Sequence, residues 1–251
     1  IDQHVDREEK IFFMRVVIES EFKLISFQSF KSLFVNELGN KYNLKCDFYL
    51  QANLPNLAVF VSKYDHCLYD ILSQQYTGKI ACKIPFILSN HKELDYIAKQ
   101  FNIPFFYVPI SKESKNKAED EQLKLLDKYD IDSIVLARYM QICSSRIVNK
   151  FANKIINIHH SFLPAFPGAK PYHSAFDRGV KIIGATSHYV TKKLDSGPII
   201  EQDIVRVSHE NQLDDFITKG QDLERIVLVR ALKLHCERKI MVYNNKTIIF
   251  N

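Results

Sequence analysis

Asn157 and His159 stand two apart in NIHHSFLPAFPG, a stretch that follows the apolar run KII and ends in a loop with two prolines and a glycine. On an extended strand, residues i and i+2 face the same side. An amide and an imidazole are therefore presented together, and His160 points away. Further along, LDSGPII carries Asp195 in a sharp turn between two expected strands. A carboxylate beside an imidazole orients the ring and raises its pKa, which lets the pair hold and move a proton. The three groups are either a proton-handling site or unrelated packing and turn residues, since aspartate also favours turns. His160 is expected to pack. No metal is expected on His159 and His160, because adjacent strand residues diverge and no third ligand stands at a usual spacing.

The segment LPAFPGAKPYH that follows holds Pro164, Pro167 and Pro171, which fix φ, and Gly168, which permits a turn. It reads as a rigid loop walling a pocket or as an ordinary surface connection. Several familiar motifs are missing: G-x-G-x-x-G, G-K-[ST], G-x-S-x-G and H-E-x-x-H. The first strand of the second domain leads into SKYDHCLYDIL, which has no glycine, so a backbone loop cradling a phosphate is not expected there.

The positioning elements follow from periodicity. LAVFVS, IACKIPFILSN, IPFFYVPI, DSIVLA and KIINIH read as strands. They alternate with helical DHCLYDILSQQ, KELDYIAKQF, KAEDEQLKLLDKYD and SSRIVNKF. That rhythm implies an α/β fold with a doubly wound, mostly parallel sheet, whose ligands bind at the carboxyl ends of the strands. NIHH occupies such an end. KIIGATSHYV and IIEQDIVRV add two strands. Leu213, Phe216, Ile217, Leu223, Ile226, Val227, Ala231 and Leu234 mark one long helix, and KIMVYNNKTIIF a hairpin turning at Asn244–Asn245. Before all this, IFFMRVVIE reads as a strand, Phe27, Phe30, Phe34 and Leu38 as one helix face, and KCDFYL (45–50) as a second strand. With QANLPN as linker, the expected domains are 1–52 and 53–251.

The 251 residues, 46% apolar and 25% charged with net charge +5, describe a globular chain with a substantial core and no apolar run long enough to span a membrane. Spread-out basic residues argue against a nucleic-acid binder and suit an anionic small substrate. Five cysteines without a C-x-x-C pair suggest reduced thiols in a cytoplasmic protein. The chain begins at Ile1 rather than Met, so an upstream segment is expected.

Taken together, NIHHSFLPAFPGAKPYH, GATSHYV and LDSGPIIEQD resemble the formyltetrahydrofolate-utilising enzymes of the glycinamide-ribonucleotide-formyltransferase fold, most closely the formyltetrahydrofolate deformylases. The resemblance extends through DQHVDREE, FFMRV, VSKYDHCLYDIL, VLARYMQ and DLERIVLVRALKLH. It implies hydrolysis of 10-formyltetrahydrofolate to formate and tetrahydrofolate, in support of purine biosynthesis and folate balance, with no cofactor. It implies Asn157, His159 and Asp195 as the catalytic set, and Met140, Gln141, Ile142 and Cys143 as the folate-binding segment. This chain reads ICSS where relatives often have a Leu-Ser-Pro type sequence, so backbone contacts are expected to carry the binding. Residues 1–52 resemble the later part of a ferredoxin-like ACT module, which implies an amino-acid effector and a homo-oligomer. Two rivals remain. A formyltransferase would need a glycine-rich phosphate site after the first strand, and a non-catalytic folate-binding or amino-acid-sensing protein would be expected to carry a broken catalytic set.

Overall fold

The computed structural model describes residues 1–19, 25–111, 113–165 and 171–250. It falls into two compact units, residues 1–54 and the chain from Pro55 onward.

The first unit opens with a hairpin of β1 (Asp2–Asp6) and β2 (Ile11–Arg15), paired from Asp6↔Ile11 to Asp2↔Arg15 and closed by an Arg15–Asp2 ion pair of 3.1 Å. The strand expected over IFFMRVVIE ends at Arg15, the last residue paired with β1. Helix α1 (Phe27–Phe34) starts at Ser26, whose hydroxyl accepts from Ser29 N–H, and runs into a π-helical turn at Val35–Gly39. KCDFYL is not a strand. No strand pairs with it among the described residues, and Phe48 packs edge-on against Phe34 and Phe30, at 5.5 and 6.3 Å between ring centroids. Its apolar residue serves the helix, not a sheet.

The second unit alternates β3 (Asn56–Val61), α2 (His66–Tyr76), β4 (Lys83–Ser89), α3 (Asp95–Gln100), β5 (Phe105–Tyr107), α4 (Lys115–Lys128), β6 (Ser133–Ala137), α5 (Ser145–Lys150) and β7 (Ile155–His159). Then come α6 (Pro171–Arg178), β8 (Ile182–Tyr189), β9 (Ile199–Arg206), α7 (Leu213–Cys236) and a hairpin of β10 (Ile240–Tyr243) and β11 (Lys246–Ile249). The sheet has seven strands in the order β5-β4-β3-β6-β7-β8-β9, parallel through β7 and antiparallel from β7 to β9. Side-chain alternation builds a core on each face. Leu57, Val59 and Val61 of β3 join α2 and α7, while Ala58 and Phe60 join α4 and α5. Asn244 and Asn245 turn the last hairpin with φ of 43° and 60°, the left-handed pair that a two-residue turn requires. Helix α6 lies in sequence read as loop: Pro171 opens it, where its missing N–H costs nothing. Among the described residues no helix is long and apolar enough to cross a membrane.

Helix α7 is pinned to the sheet by buried His235, whose Nε2 meets Ser133 Oγ at 2.9 Å and whose Nδ1 meets Tyr189 OH at 2.8 Å. Burial, with Arg238 and Lys154 nearby, pushes its pKa down to about 4. A free imidazole titrates near ~6.5, so the unfolded chain takes up a proton first as pH falls. Unfolding free energy is therefore expected to decline between those two values, by ~3 kcal/mol from this residue. Denaturant melts from pH 7 to pH 4 check it: the slope should shrink in His235→Gln. An unchanged slope would remove His235 as its source.

Candidate active site

Strand β7 delivers Asn157 and His159 to one face, and its antiparallel pairing with β8 sets His188 opposite Asn157 and Thr186 opposite His159. Asn157 Nδ2 lies 3.2 Å from His188 Nε2. The other His188 nitrogen, Nδ1, is 3.0 Å from the Tyr189 carbonyl oxygen. A carbonyl only accepts, so Nδ1 carries a hydrogen. Burial holds the His188 pKa below the ordinary imidazole value despite Tyr189 and Asp195, so the ring is neutral and Nε2 accepts. Asn157 must then donate with its NH2, leaving its second N–H and its oxygen for the site.

Asp195 comes from the loop joining β8 to β9, with φ of 50°, a left-handed conformation that aspartate tolerates. The loop presses close to its own strand. A Cβ on Gly197 would stand 1.7 Å from the Tyr189 carbonyl oxygen, so only glycine fits. Asp195 Oδ1 is thereby held 3.6 Å from His159 Nδ1 and 3.9 Å from His188 Nε2. Both are too long for hydrogen bonds, and either becomes an ion pair only when its ring takes up a proton. The structure thus brings Asn157, His159 and Asp195 together.

A carboxylate beside an imidazole raises its pKa, but here the balance goes the other way. Burial, with further contributions from His188 and Arg138, outweighs Asp195 and Glu224 and lowers the His159 pKa. The ring is therefore neutral in this site. With Nδ1–H toward the carboxylate, Nε2 presents a lone pair, and that buried atom has no hydrogen-bond partner among the described residues. His160 points the other way, its ring 5.3 Å from His159 and 5.6 Å from Tyr172.

Four further polar residues were not singled out from the sequence. His188 sits inside an apolar strand, and Glu224 lies on the buried stripe of α7, fully inaccessible. His66 and Arg138 follow β3 and β6 and meet Glu224. A polar residue at an apolar position of a periodic element is the signal that could have found the first two. His66, Cys67 and Glu224 also bring potential metal-ligand atoms within 4.8 Å of one another. Arg138 contacts the same carboxylate, and burial and Glu224 push the Cys67 thiol well up, so the environment disfavours a cation.

The segment Met140 to Cys143 leaves the end of β6, the strand beside β7. Met140 N–H donates to Ser62 Oγ at 3.0 Å, and Met140 and Ile142 are exposed. Gln141, Ile142 and Cys143 line a small cavity with Ile110, Gln122 and Tyr139. Among the described residues no hydrogen bond joins this segment to the catalytic candidates. Burial, with Glu119 nearby, pushes the Cys143 thiol up to about 12. Of the proline-rich loop, Pro167 and Gly168 lie outside the described residues.

Residues 55–232 match the Formyl transferase family. The chain is 50% identical to a formyltetrahydrofolate deformylase of Synechocystis sp., over 99% of this chain and 87% of that protein. A crystal structure of a formyltetrahydrofolate deformylase from Pseudomonas syringae superposes with a TM-score of 0.96 at 39% identity, covering 99% of this chain and 83% of that one. Glycinamide ribonucleotide transformylase 1 from Symbiobacterium toebii superposes at 0.75 with 26% identity, covering 82% and 99%.

Proposed function

The chain belongs to the formyltetrahydrofolate deformylases, within the Formyl transferase family, and from that premise we propose that it hydrolyses 10-formyltetrahydrofolate to formate and tetrahydrofolate. The observation that carries the reading is the buried, unpartnered Nε2 of His159, a ring whose Nδ1 faces Asp195 at 3.6 Å and which shares its strand face with Asn157.

Water attacking a formyl carbon must lose a proton as the C–O bond forms. Neutral His159 accepts it at Nε2, and the formyl oxygen becomes an oxyanion. The free N–H of Asn157 and the new Nε2–H donate toward that charge. Asp195, 3.6 Å from Nδ1, stabilises the imidazolium. As the C–N10 bond breaks, the Nε2 proton passes to N10, releasing tetrahydrofolate and formic acid, which ionises. No covalent enzyme intermediate and no cofactor is called for, and a thiol pushed up to about 12 at Cys143 is a poor nucleophile.

Met140, Gln141, Ile142 and Cys143 hold the pterin. Because Ser62 already takes the Met140 N–H, the other backbone groups of the segment carry the contact. A glycine-free Ser62–His66 at the end of β3 favours water over a phosphate-bearing acceptor. Formate release with no amine present tests the reading. Release only on adding glycinamide ribonucleotide would replace it with a transferase.

Residues 1–52 are an ACT-type regulatory module that takes an amino-acid effector and pairs two copies of a cytoplasmic enzyme feeding formate to purine synthesis. Exposed Val5, Phe12 and Met14 on the hairpin support pairing. Sedimentation at micromolar concentration should give a species larger than the monomer; a monomer alone would contradict it.

A further inference from the structure

Strand order in the seven-stranded sheet reverses between β3 and β6. The crevice beyond the carboxyl ends of the strands at such a point is the usual ligand site of an open α/β sheet. In this chain it is filled from within. Glu224 reaches it from α7 with no exposed surface. Its Oε1 accepts from Tyr172 OH at 2.5 Å and its Oε2 from His66 Nε2 at 2.9 Å. His66 is the first residue of α2, just after β3. Arg138, the first residue beyond β6, has φ of 60° and is 7% exposed. Its Nε lies 3.4 Å from Glu224 Oε2 without a hydrogen-bond partner among the described residues, and its guanidinium stacks 4.6 Å over the Tyr64 ring. Room for Tyr172 is made by Gly220, one turn before Glu224, where a Cβ would come within 2.2 Å of the phenol ring.

One cation and two hydrogen-bond donors converging on two anionic oxygens have the composition of an anion pocket. Stability alone is a weak reason for it, since a buried ion pair generally gains little over well-packed apolar side chains. Glu224 is ionised there: burial alone would raise its pKa, but the His66 hydrogen bond and Arg138 hold it below the ordinary carboxylate value.

We propose that His66, Arg138 and Tyr172 form an anion-holding pocket at the switch point, that Glu224 is its built-in occupant, and that this occupant keeps an anionic amine acceptor out. The last clause rests on the hydrolase reading; the pocket itself does not. The device makes water the acceptor by occupying the competitor's place.

Glu224→Ala deletes a group equivalent to acetate, so acetate and inorganic phosphate are the probes. Thermal unfolding is compared with chloride at matched ionic strength. Either probe should raise the variant's midpoint by roughly 5 °C more than the wild type's, and Arg138→Gln in the same chain should abolish the gain. If Glu224→Ala folds only when a probe is added, the pocket is equally supported. No probe-specific gain, no recovery of fold, or a gain that survives Arg138→Gln overturns it. These readouts need no turnover, so they stand apart from the hydrolase assignment. For the exclusion claim, glycinamide ribonucleotide should inhibit formate release at least tenfold more strongly in Glu224→Ala than in wild type. Equal inhibition overturns that claim.

Discussion

His159→Ala should lower kcat for formate release by about 10³-fold or more, with a thermal midpoint close to wild type. The expectation rests on Nε2. That atom is buried and has no hydrogen-bond partner among the described residues, so removing it breaks none there, yet it is the group placed to take the proton from water. Asp195→Asn should fall in the same direction, because the imidazolium formed in the addition step loses the charge opposite Nδ1. The pH profile separates a proton-handling role from a merely structural one. Burial lowers the His159 pKa and the neutral ring is the working form, so activity is lost as pH falls through that lowered value. The acid limb of kcat/KM should lie below the free imidazole range of ~6.5 and should vanish in the residual activity of His159→Ala. A variant within tenfold of wild type, with the same acid limb, would contradict the assignment.

Gly197→Ala should be nearly as damaging without touching a reacting group. Its new methyl would stand 1.7 Å from the Tyr189 carbonyl oxygen, and backbone at that distance cannot yield as a side-chain tip can. The loop must lift, opening the 2.9 Å Tyr189 N–H to Pro198 oxygen bond and carrying Asp195 away from His159. A loss of ~3 kcal/mol of stability is the expected order for such overpacking, together with a kcat loss approaching that of Asp195→Asn. Urea unfolding and formate release on the same preparation check both parts. A variant of unchanged midpoint and activity would show that the loop does not hold Asp195 in place.

The parts of this fold that were legible are those where one local period decides the structure. The βαβ rhythm from β3 to β7, the apolar stripe of α7 and the Asn244–Asn245 turn all belong to that class. KCDFYL failed because a strand needs a partner, and pairing is not a local property. Helix α6 was hidden because Pro171 reads equally well as a loop stiffener or as the first residue of a helix. Within the site, Asn157 and His159 were legible as an i, i+2 pair, while Asp195, 36 positions beyond His159, could be read either as a turn residue or as its carboxylate partner until the family resemblance was added. His188 was missed because its role depends on cross-strand register with Asn157. Glu224 was missed because a buried acid on a helix acquires meaning only from His66, Arg138 and Tyr172, which arrive from three other segments. The reversed protonation of His159 belongs to the same class: a neighbouring carboxylate is visible in sequence, while the depth of burial that outweighs it is not.

The central claim is that water, activated at His159, adds to the formyl carbon. The most direct measurement is formate release from 10-formyltetrahydrofolate in heavy-oxygen-labelled water with no amine present, followed by mass spectrometry of the formate. The account predicts acceptor-independent release with a single labelled oxygen in each formate. Unlabelled formate, or formate formed only after an amine is added, would contradict it.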